Sequence, residues 1–310
     1  MNNFVYASDS NYNNQLYYSI FSLLENFMSQ VNIYVIHKDP SSFTKYKNNL
    51  LEKFNNLNLN IYKFDFKDIE FPNIQNKHVS EATYYRLFID QFIPSDLEYY
   101  MYLDADIICI NNPKFYLNEL VNEMKKENFI IGCRTENNKI DDTNMIFENL
   151  SMNSSKYFNA GVMIVNHQKW LEKDIGKKLL TKLEEIREEI NYWDQDVLNS
   201  YFDGTYKEIS QNLNFPLNLR WPIDCKDVEQ KGIFLHYQSN NKPWSIRGSF
   251  NEASKYYQNY SLKINSGYHL EKTVKRYDIL YLLLNTFKFK FIYFQKPFNF
   301  YKESIKLILK

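Results

Sequence analysis

Apolar and polar positions near the start of the chain alternate between a strand-like and a helix-like spacing. Phe4-Val5-Tyr6-Ala7-Ser8 is a short apolar run that reads as a central strand, closed by the polar loop Asp9-Ser10-Asn11-Tyr12-Asn13. Tyr17, Ile20, Leu23, Leu24 and Phe27 then recur at three and four residues, the spacing of a helix with one buried face. Val31–Ile36 is a second strand, Ser42–Leu57 a lysine-rich helix and Leu59–Phe64 a third strand. Strand, helix, strand, helix, strand at these intervals predicts a doubly wound α/β domain with a mainly parallel central sheet flanked by helices. In such sheets ligands gather at the carboxyl ends of the strands, where Asp9 and Asn11 fall.

Further along, His78–Phe92 reads as a helix closed by Pro94, with Arg86 set among apolar neighbours. That arginine either lays its stem over apolar surface or points its guanidinium at an anion. Glu119–Glu127 predicts a short charged helix, Phe129–Cys133 a strand, and the Asn- and Asp-rich stretch 137–155 a long loop. Tyr157–Val165 returns to strand, with Asn159 and the small residues Ala160 and Gly161 where a ligand could approach the backbone. His167–Asn191 reads as one strongly charged helix. A shorter helix follows over Asp194–Phe202, opening on Asp194-Gln195-Asp196, whose carboxylates could simply cap its first turn. Leu213–Trp221 is loop and short strand, and Gly232–His236 is a strand that delivers His236 at its end. A lone histidine is ordinarily structural, and a metal ligand is the sharper alternative.

The most informative stretch is Tyr100-Met101-Tyr102-Leu103-Asp104-Ala105-Asp106-Ile107-Ile108. Apolar residues run straight into two carboxylates and resume after them, which reads as a buried strand ending in an acidic turn. Two like charges at the edge of a core need a partner. A divalent cation would serve, and so would a basic side chain; a helix cap or a surface turn are the remaining readings.

Composition narrows the class. With 310 residues, 44% of them hydrophobic, the chain can bury a large core. Lys+Arg and Asp+Glu are both 37, a balance that argues against a nucleic-acid binder. The three cysteines are widely spaced, without a CxxC pair, which suits a reducing compartment. The amino terminus shows no signal-peptide pattern and no run is long enough to span a bilayer, so a cytoplasmic location is expected. Residues 263–310 differ from the body, carrying ten Lys+Arg against three Asp+Glu. Leucine-rich and Phe/Tyr-rich runs lie among these charges, and Phe287–Phe294 alternates like a strand. The expected organisation is therefore a catalytic or binding domain over 1–262 and a basic aromatic segment over 263–310. That segment either docks on the more acidic body or touches an anionic membrane surface.

Six pieces in order now carry a family resemblance: Ala7-Ser8-Asp9-x-Asn11, Ala82-Thr83-Tyr84-Tyr85-Arg86-Leu87, Tyr102-Leu103-Asp104-Ala105-Asp106, Phe158-Asn159-Ala160-Gly161-Val162, Asp194-Gln195-Asp196-Val197-Leu198-Asn199, and His236 through Trp244. Over residues 3–245 the chain resembles glycosyltransferase family 8, the bacterial lipopolysaccharide galactosyl- and glucosyltransferases and their glycogenin relatives. The resemblance implies a GT-A fold and a UDP-glucose or UDP-galactose donor. It also implies Mn²⁺, with Mg²⁺ as a substitute, and retention of anomeric configuration. It implies metal ligands Asp104, Asp106 and His236, and uridine contacts Asp9 and Asn11 with Ala7 beside them. Arg86 would meet the donor sugar or phosphate, Asp104 would also lie near the ribose or sugar, Asn159 and Ala160 would line the sugar pocket, and Ala105 would contact the nucleotide-sugar. Asp194 would bind donor hydroxyls, Gln195 would stand beside the anomeric carbon, and Lys242 would meet the diphosphate. Arg86, Asp194 and Gln195 are thus the expected catalytic set. The acceptor would be the hydroxyl of a glycan, lipopolysaccharide or another cell-surface glycan, in a form that can be lipid-linked. A non-catalytic nucleotide-sugar-binding protein and a glycogenin-like self-glycosylating enzyme are the alternatives. The chain departs from the family at Ser239, where a glycine is usual, and in the sugar-binding carboxylate after Gly132-Cys133-Arg134, for which Glu136, Asp141 and Asp142 are the nearest choices.

Overall fold

The computed structural model describes residues 1–66, 69–72, 80–136, 143–238, 240–271 and 278–309. The chain divides into two compact units. The first holds residues 1–17, 27–105 and 112–210, and the second holds 18–26, 106–111 and 211–310.

The first unit is built on a seven-stranded sheet in the order β3-β2-β1-β4-β7-β6-β8. Its strands are β1 (Asn3–Ser8), β2 (Val31–His37), β3 (Leu57–Lys63), β4 (Tyr99–Leu103), β6 (Ile131–Thr135), β7 (Phe158–Asn166) and β8 (Lys207–Glu208). The strand between β4 and β6 in sequence, β5 (Ile107–Cys109), belongs to the second unit. Pairing is parallel except along β7, which runs antiparallel to both β4 and β6. The sheet is thus mainly parallel, as expected, with β7 as its one antiparallel strand. Strands β1, β4 and β7 are almost wholly buried, which is why they read as continuous apolar runs.

The helices of this unit are α2 (Thr44–Lys53), α3 (Lys114–Glu127), α4 (Thr143–Asn149), α5 (His167–Glu172), α6 (Ile175–Glu185) and α7 (Trp193–Phe202); α1 (Asn13–Asn26) starts here and continues into the second unit. Arg86 lies on a 3₁₀ helix over Glu81–Gln91, whose start is capped by Ser80. One buried cluster joins Tyr84, Leu87 and Phe88 of this 3₁₀ helix to Tyr100 and Tyr102 of β4, Ala160 and Met163 of β7, Leu179 and Leu183 of α6, and Val197 and Leu198 of α7.

Two expectations need correction here. The single helix over His167–Asn191 is broken at Asp174, which takes a left-handed φ of 53°. An unbroken helix would carry the buried stripe from Trp170 on to Asp174, Lys177 and Lys178. The break resets the stripe to Ile175, Leu179 and Leu183. The stretch 137–155 is not all loop, because α4 forms where Ile146 and Phe147 pack against the core and lead to buried Leu150. Residues 137–142, with Asp141 and Asp142, lie outside the described residues.

The second unit holds a three-stranded sheet in the order β5-β9-β10 by sequence and β5-β10-β9 in space. Strand β9 (Phe215–Asn218) runs parallel to β10 (Phe234–Gln238), and β5 runs antiparallel to it. The helices are α8 (Cys225–Lys231), α9 (Ile246–Ser249), α10 (Lys255–Asn265), α11 (Asp278–Phe287) and α12 (Pro297–Leu309). The carboxyl-terminal segment packs through Leu282 and Phe300 against Ile246, Phe250 and Leu262. Its predicted strand over Phe287–Phe294 is not formed. Helix α11 ends at Phe287, Phe289 turns left-handed, and Lys290–Tyr293 is a 3₁₀ turn. Alternation alone makes no strand without an edge to pair with. Among the described residues no helix is long and apolar enough to cross a membrane.

Candidate active site

In the first unit, Asp104, Ala160 and Asp194 gather around Arg86. Burial of this cation requires anions, and two are supplied. Its Nη2 lies 2.9 Å from Asp104 Oδ1 and its Nε 2.7 Å from Asp194 Oδ2. Nη1 donates to the Ala160 carbonyl at 2.6 Å, and the guanidinium stands 4.6 Å from the centre of the Tyr102 ring. Of the two readings of Arg86, the one in which it faces anions is realised. The Tyr102 hydroxyl donates to Asp104 Oδ1 at 2.9 Å, and the Thr83 hydroxyl donates to Asp194 Oδ1. Burial pushes the Asp194 carboxyl up to about 6, against the opposing pull of Arg86 and Thr83.

Gln195 is held on both sides of its amide. Its Oε1 accepts from Ala160 N–H at 3.0 Å, and its Nε2 donates to the Tyr157 hydroxyl at 3.1 Å. That hydroxyl donates in turn to Asp196 Oδ1 at 2.5 Å. Asp196 Oδ2 accepts the backbone N–H groups of Asn191 and Tyr192 at 2.7 and 2.6 Å. Neither acidic residue therefore caps the first turn of α7: Asp194 faces Arg86, and Asp196 ties down the chain entering the helix. Between them and that anchor, Trp193 takes a φ of 53°, a left-handed conformation that costs a bulky residue about 1–2 kcal/mol. Asn199 completes the clamp, accepting from Phe158 N–H at 2.7 Å and donating to the Phe158 carbonyl at 2.9 Å. Asn159 is buried, and its Oδ1 accepts from Gly161 N–H at 3.1 Å. At the end of β1, Asp9 accepts from Asn11 N–H at 2.8 Å and so caps a 3₁₀ turn over Ser10–Tyr12; Ala7 beside it is buried. Glu136 is engaged with Arg134 at 2.9 Å.

In the second unit, Asp106, His236 and Lys242 come together. Lys242 Nζ is 2.6 Å from Asp106 Oδ2 and donates to the Tyr237 carbonyl at 2.5 Å. His236 Nε2 is 3.7 Å from Asp106 Oδ1. Asn214 Oδ1 stands 3.1 Å from His236 Nδ1, so Nδ1 donates there and Nε2 is the nitrogen that faces Asp106. Among the described residues, the buried Asp106 Oδ1 has no hydrogen-bond partner. Burial would push this carboxyl up, but Lys242 and His236 hold it below the ordinary carboxylate range. Gly248 of α9 lets the Lys242 loop close down: a Cβ there would lie 2.1 Å from the Lys242 carbonyl oxygen. Strand β10 carries His236 in its middle rather than at its end. Ser239 lies outside the described residues.

Sequence reasoning did not single out Thr83, Tyr157 or Asn214. Thr83 and the clamping Asn199 stand inside quoted motifs. Asn214 has no local signal, because its partner is twenty-two residues away.

The sequence pattern of glycosyl transferase family 8 matches residues 3–247. A lipopolysaccharide 1,2-glucosyltransferase of Escherichia coli is 26% identical over 309 residues, covering 96% of this chain and 87% of that protein. A lipopolysaccharide 1,3-galactosyltransferase of Salmonella typhimurium is 28% identical over 188 residues, covering 58% of this chain and 54% of that one. Among solved structures, the galactosyltransferase LgtC in complex with donor and acceptor sugar analogues superposes with a TM-score of 0.62 at 22% identity, covering 78% of this chain and 89% of LgtC. The chain belongs to glycosyl transferase family 8 and has the GT-A fold.

Proposed function

We propose that this glycosyltransferase moves a glucosyl or galactosyl unit from a UDP-sugar to a hydroxyl of a lipopolysaccharide-type glycan, with retention of configuration. The observation that carries the reading is the buried Arg86 between Asp104 and Asp194, beside the Ala160 that Gln195 meets. A divalent cation, Mn²⁺ or Mg²⁺, fits the donor set of Asp104, Asp106 and His236, each offering one ligand atom. Asp106 Oδ1, buried without a hydrogen-bond partner among the described residues, and His236 Nε2 at 3.7 Å from it support the reading. Once bound, the ion would neutralise charge on the departing diphosphate.

The rest falls to side chains of the chain. Lys242 adds a mobile positive charge for the diphosphate. Arg86 fixes Asp104 and Asp194, and its planar fork leaves Asp194 directed by a salt bridge instead of free to attack. Asp9, with Asn11, is assigned to the uridine, and Asn159 with Ala160 to the donor sugar. Gln195 is a neutral amide and a poor nucleophile. We therefore favour attack by the acceptor hydroxyl on the face from which UDP leaves, its proton passing to the leaving phosphate. Trapping a covalent sugar on Asp194 would overturn that route. The tail over residues 278–309 is proposed to rest on an anionic membrane surface, in keeping with a lipid-borne acceptor.

The test is release of nucleotide from a panel of UDP-, GDP-, ADP- and CMP-sugars, with and without Mn²⁺. Slow hydrolysis of one UDP-hexose, abolished by chelation, is the expected result. Turnover of another nucleotide's sugar, or of any donor at full rate without metal, would refute the assignment.

A further inference from the structure

Strand β9 buries alternate residues, Phe215, Leu217 and then Leu219, while Asn218 and Arg220 face solvent. The next side chain to point inward should be Trp221. It does not: the indole is 67% exposed. The backbone beneath it is nonetheless tightly held. Trp221 N–H donates to the Asn218 carbonyl at 3.1 Å, and Arg220 N–H donates to Asn218 Oδ1 at 3.1 Å. Asn251 Nδ2 donates to the carbonyls of both Trp221 and Leu219, at 2.8 and 3.3 Å. A large aromatic is thus presented to solvent from a fixed turn. Fixing it beforehand lowers the entropy lost on binding.

The position is informative as well. Asn218 is paired with Gln238, the last residue of β10 and two beyond His236. The Trp221 turn therefore leaves the small sheet at the same end as the chain that continues toward Lys242. Its exposed neighbours Arg220 and Asp224 put charge on either side of it in sequence, and Pro222 adds only one small ring. An aromatic face with a polar rim fits a pyranose ring, which offers C–H groups from one side and hydroxyls at its edge; a protein or lipid partner would need a wider apolar patch.

We propose that Trp221 is a stacking platform for a sugar ring of the acceptor glycan, placed on the second unit beside the strand that carries His236. The inference rests on the glycosyltransferase reading above, and its test separates the two. The full-length protein, loaded with Mn²⁺ and UDP, is titrated with methyl β-glucoside, methyl β-galactoside, methyl β-lactoside and deacylated lipopolysaccharide core oligosaccharide, and tryptophan fluorescence is followed. At least one saccharide should quench saturably, and the signal should vanish in Trp221→Phe. Under transfer conditions Trp221→Ala should raise the acceptor KM about tenfold and leave kcat within about twofold. Acceptor-independent hydrolysis of the UDP-sugar should be unchanged in both variants. No quenching by any member of the panel, or quenching that persists in Trp221→Phe, would overturn the proposal. So would an acceptor KM unmoved in Trp221→Ala. Failure of the wild-type protein to hydrolyse any UDP-sugar would refute the parent reading instead, whatever the fluorescence shows.

Discussion

At the residue scale, the candidate site is built on carboxylates that are costly to bury and are held in place by partners. Asp106 is the sharpest case, with one oxygen on Lys242 and the other buried without a hydrogen bond among the described residues. Asp106→Ala should lower metal-dependent turnover by at least about a hundredfold, since charge stabilisation on the leaving group is lost. Circular dichroism should stay unchanged, and wild-type turnover in this variant would refute the role. Asn214 acts through His236, fixing the ring and its tautomer. Asn214→Ala should weaken Mn²⁺ binding about 10–100-fold by calorimetry, with UDP affinity measured in chelator unchanged. Asp194 gives a pH signature. Its folded pKa of about 6 lies above the ordinary value of about 3.9, so the folded state holds the proton more tightly than the unfolded one. The stabilisation is complete below pH 4 or so and is lost as pH rises through about 6. Urea unfolding should show the wild type losing on the order of 3 kcal/mol relative to Asp194→Asn across that window. A pH-independent difference would contradict the shift. Asp104, Asp106, His236 and Lys242 were legible in the sequence because each stands in a short local pattern. Asn214 and Tyr157 were not, since what they do depends on partners that only folding brings near.

At the scale of elements, α7 and β7 act as a single part. Asn199 clips both backbone groups of Phe158 and also donates to the Gln195 carbonyl at 2.9 Å. Gln195 and Asp194 are positioned by this clip and by the Asp196 anchor below Trp193. Asn199→Ala leaves the buried Phe158 N–H and carbonyl without partners, a loss of about 2–4 kcal/mol for two groups. Chemical denaturation should report that loss, and kcat should fall more than the donor KM rises, because Gln195 and Asp194 shift while Arg86 keeps Asp104. A fall confined to KM would mean that the clip serves donor binding alone. The order of strands and helices was readable from periodicity, since β1, β2 and β4 are uniformly apolar and α1 is evenly spaced. Element ends and breaks were not. Whether His167–Asn191 continues past Lys173 depends on which side chains the sheet face will accept, and the chain turns left-handed at Asp174 sooner than bury Asp174 and its lysines.

At the scale of the whole molecule, the carboxyl-terminal segment carries exposed apolar surface. On α11, Ile279, Leu280, Leu283, Leu284 and Phe287 are exposed, while Leu282 and Asn285 point inward. Phe289, Ile292, Phe298, Ile305 and Leu309 extend this surface, and Lys288, Lys290, Lys302 and Lys306 stand among them. A helix stripe with interspersed lysines gains from apolar insertion and from attraction to anionic headgroups together. The two contributions can be separated. The double substitution Leu283→Ser with Phe287→Ser removes apolar contact and leaves the charge. Lys288→Glu with Lys290→Glu reverses charge and leaves the stripe, at about 1 kcal/mol or more per lysine near the surface. Each pair should lower cosedimentation with phosphatidylglycerol vesicles by on the order of tenfold. Only the wild type and the serine pair should retain a strong dependence on salt, because the remaining attraction is electrostatic and is screened. UDP binding should be the same in all three proteins, since none of the four residues belongs to the site. Undiminished sedimentation of both pairs would mean that the tail does not reach the bilayer, and the exposed stripe would then need another occupant.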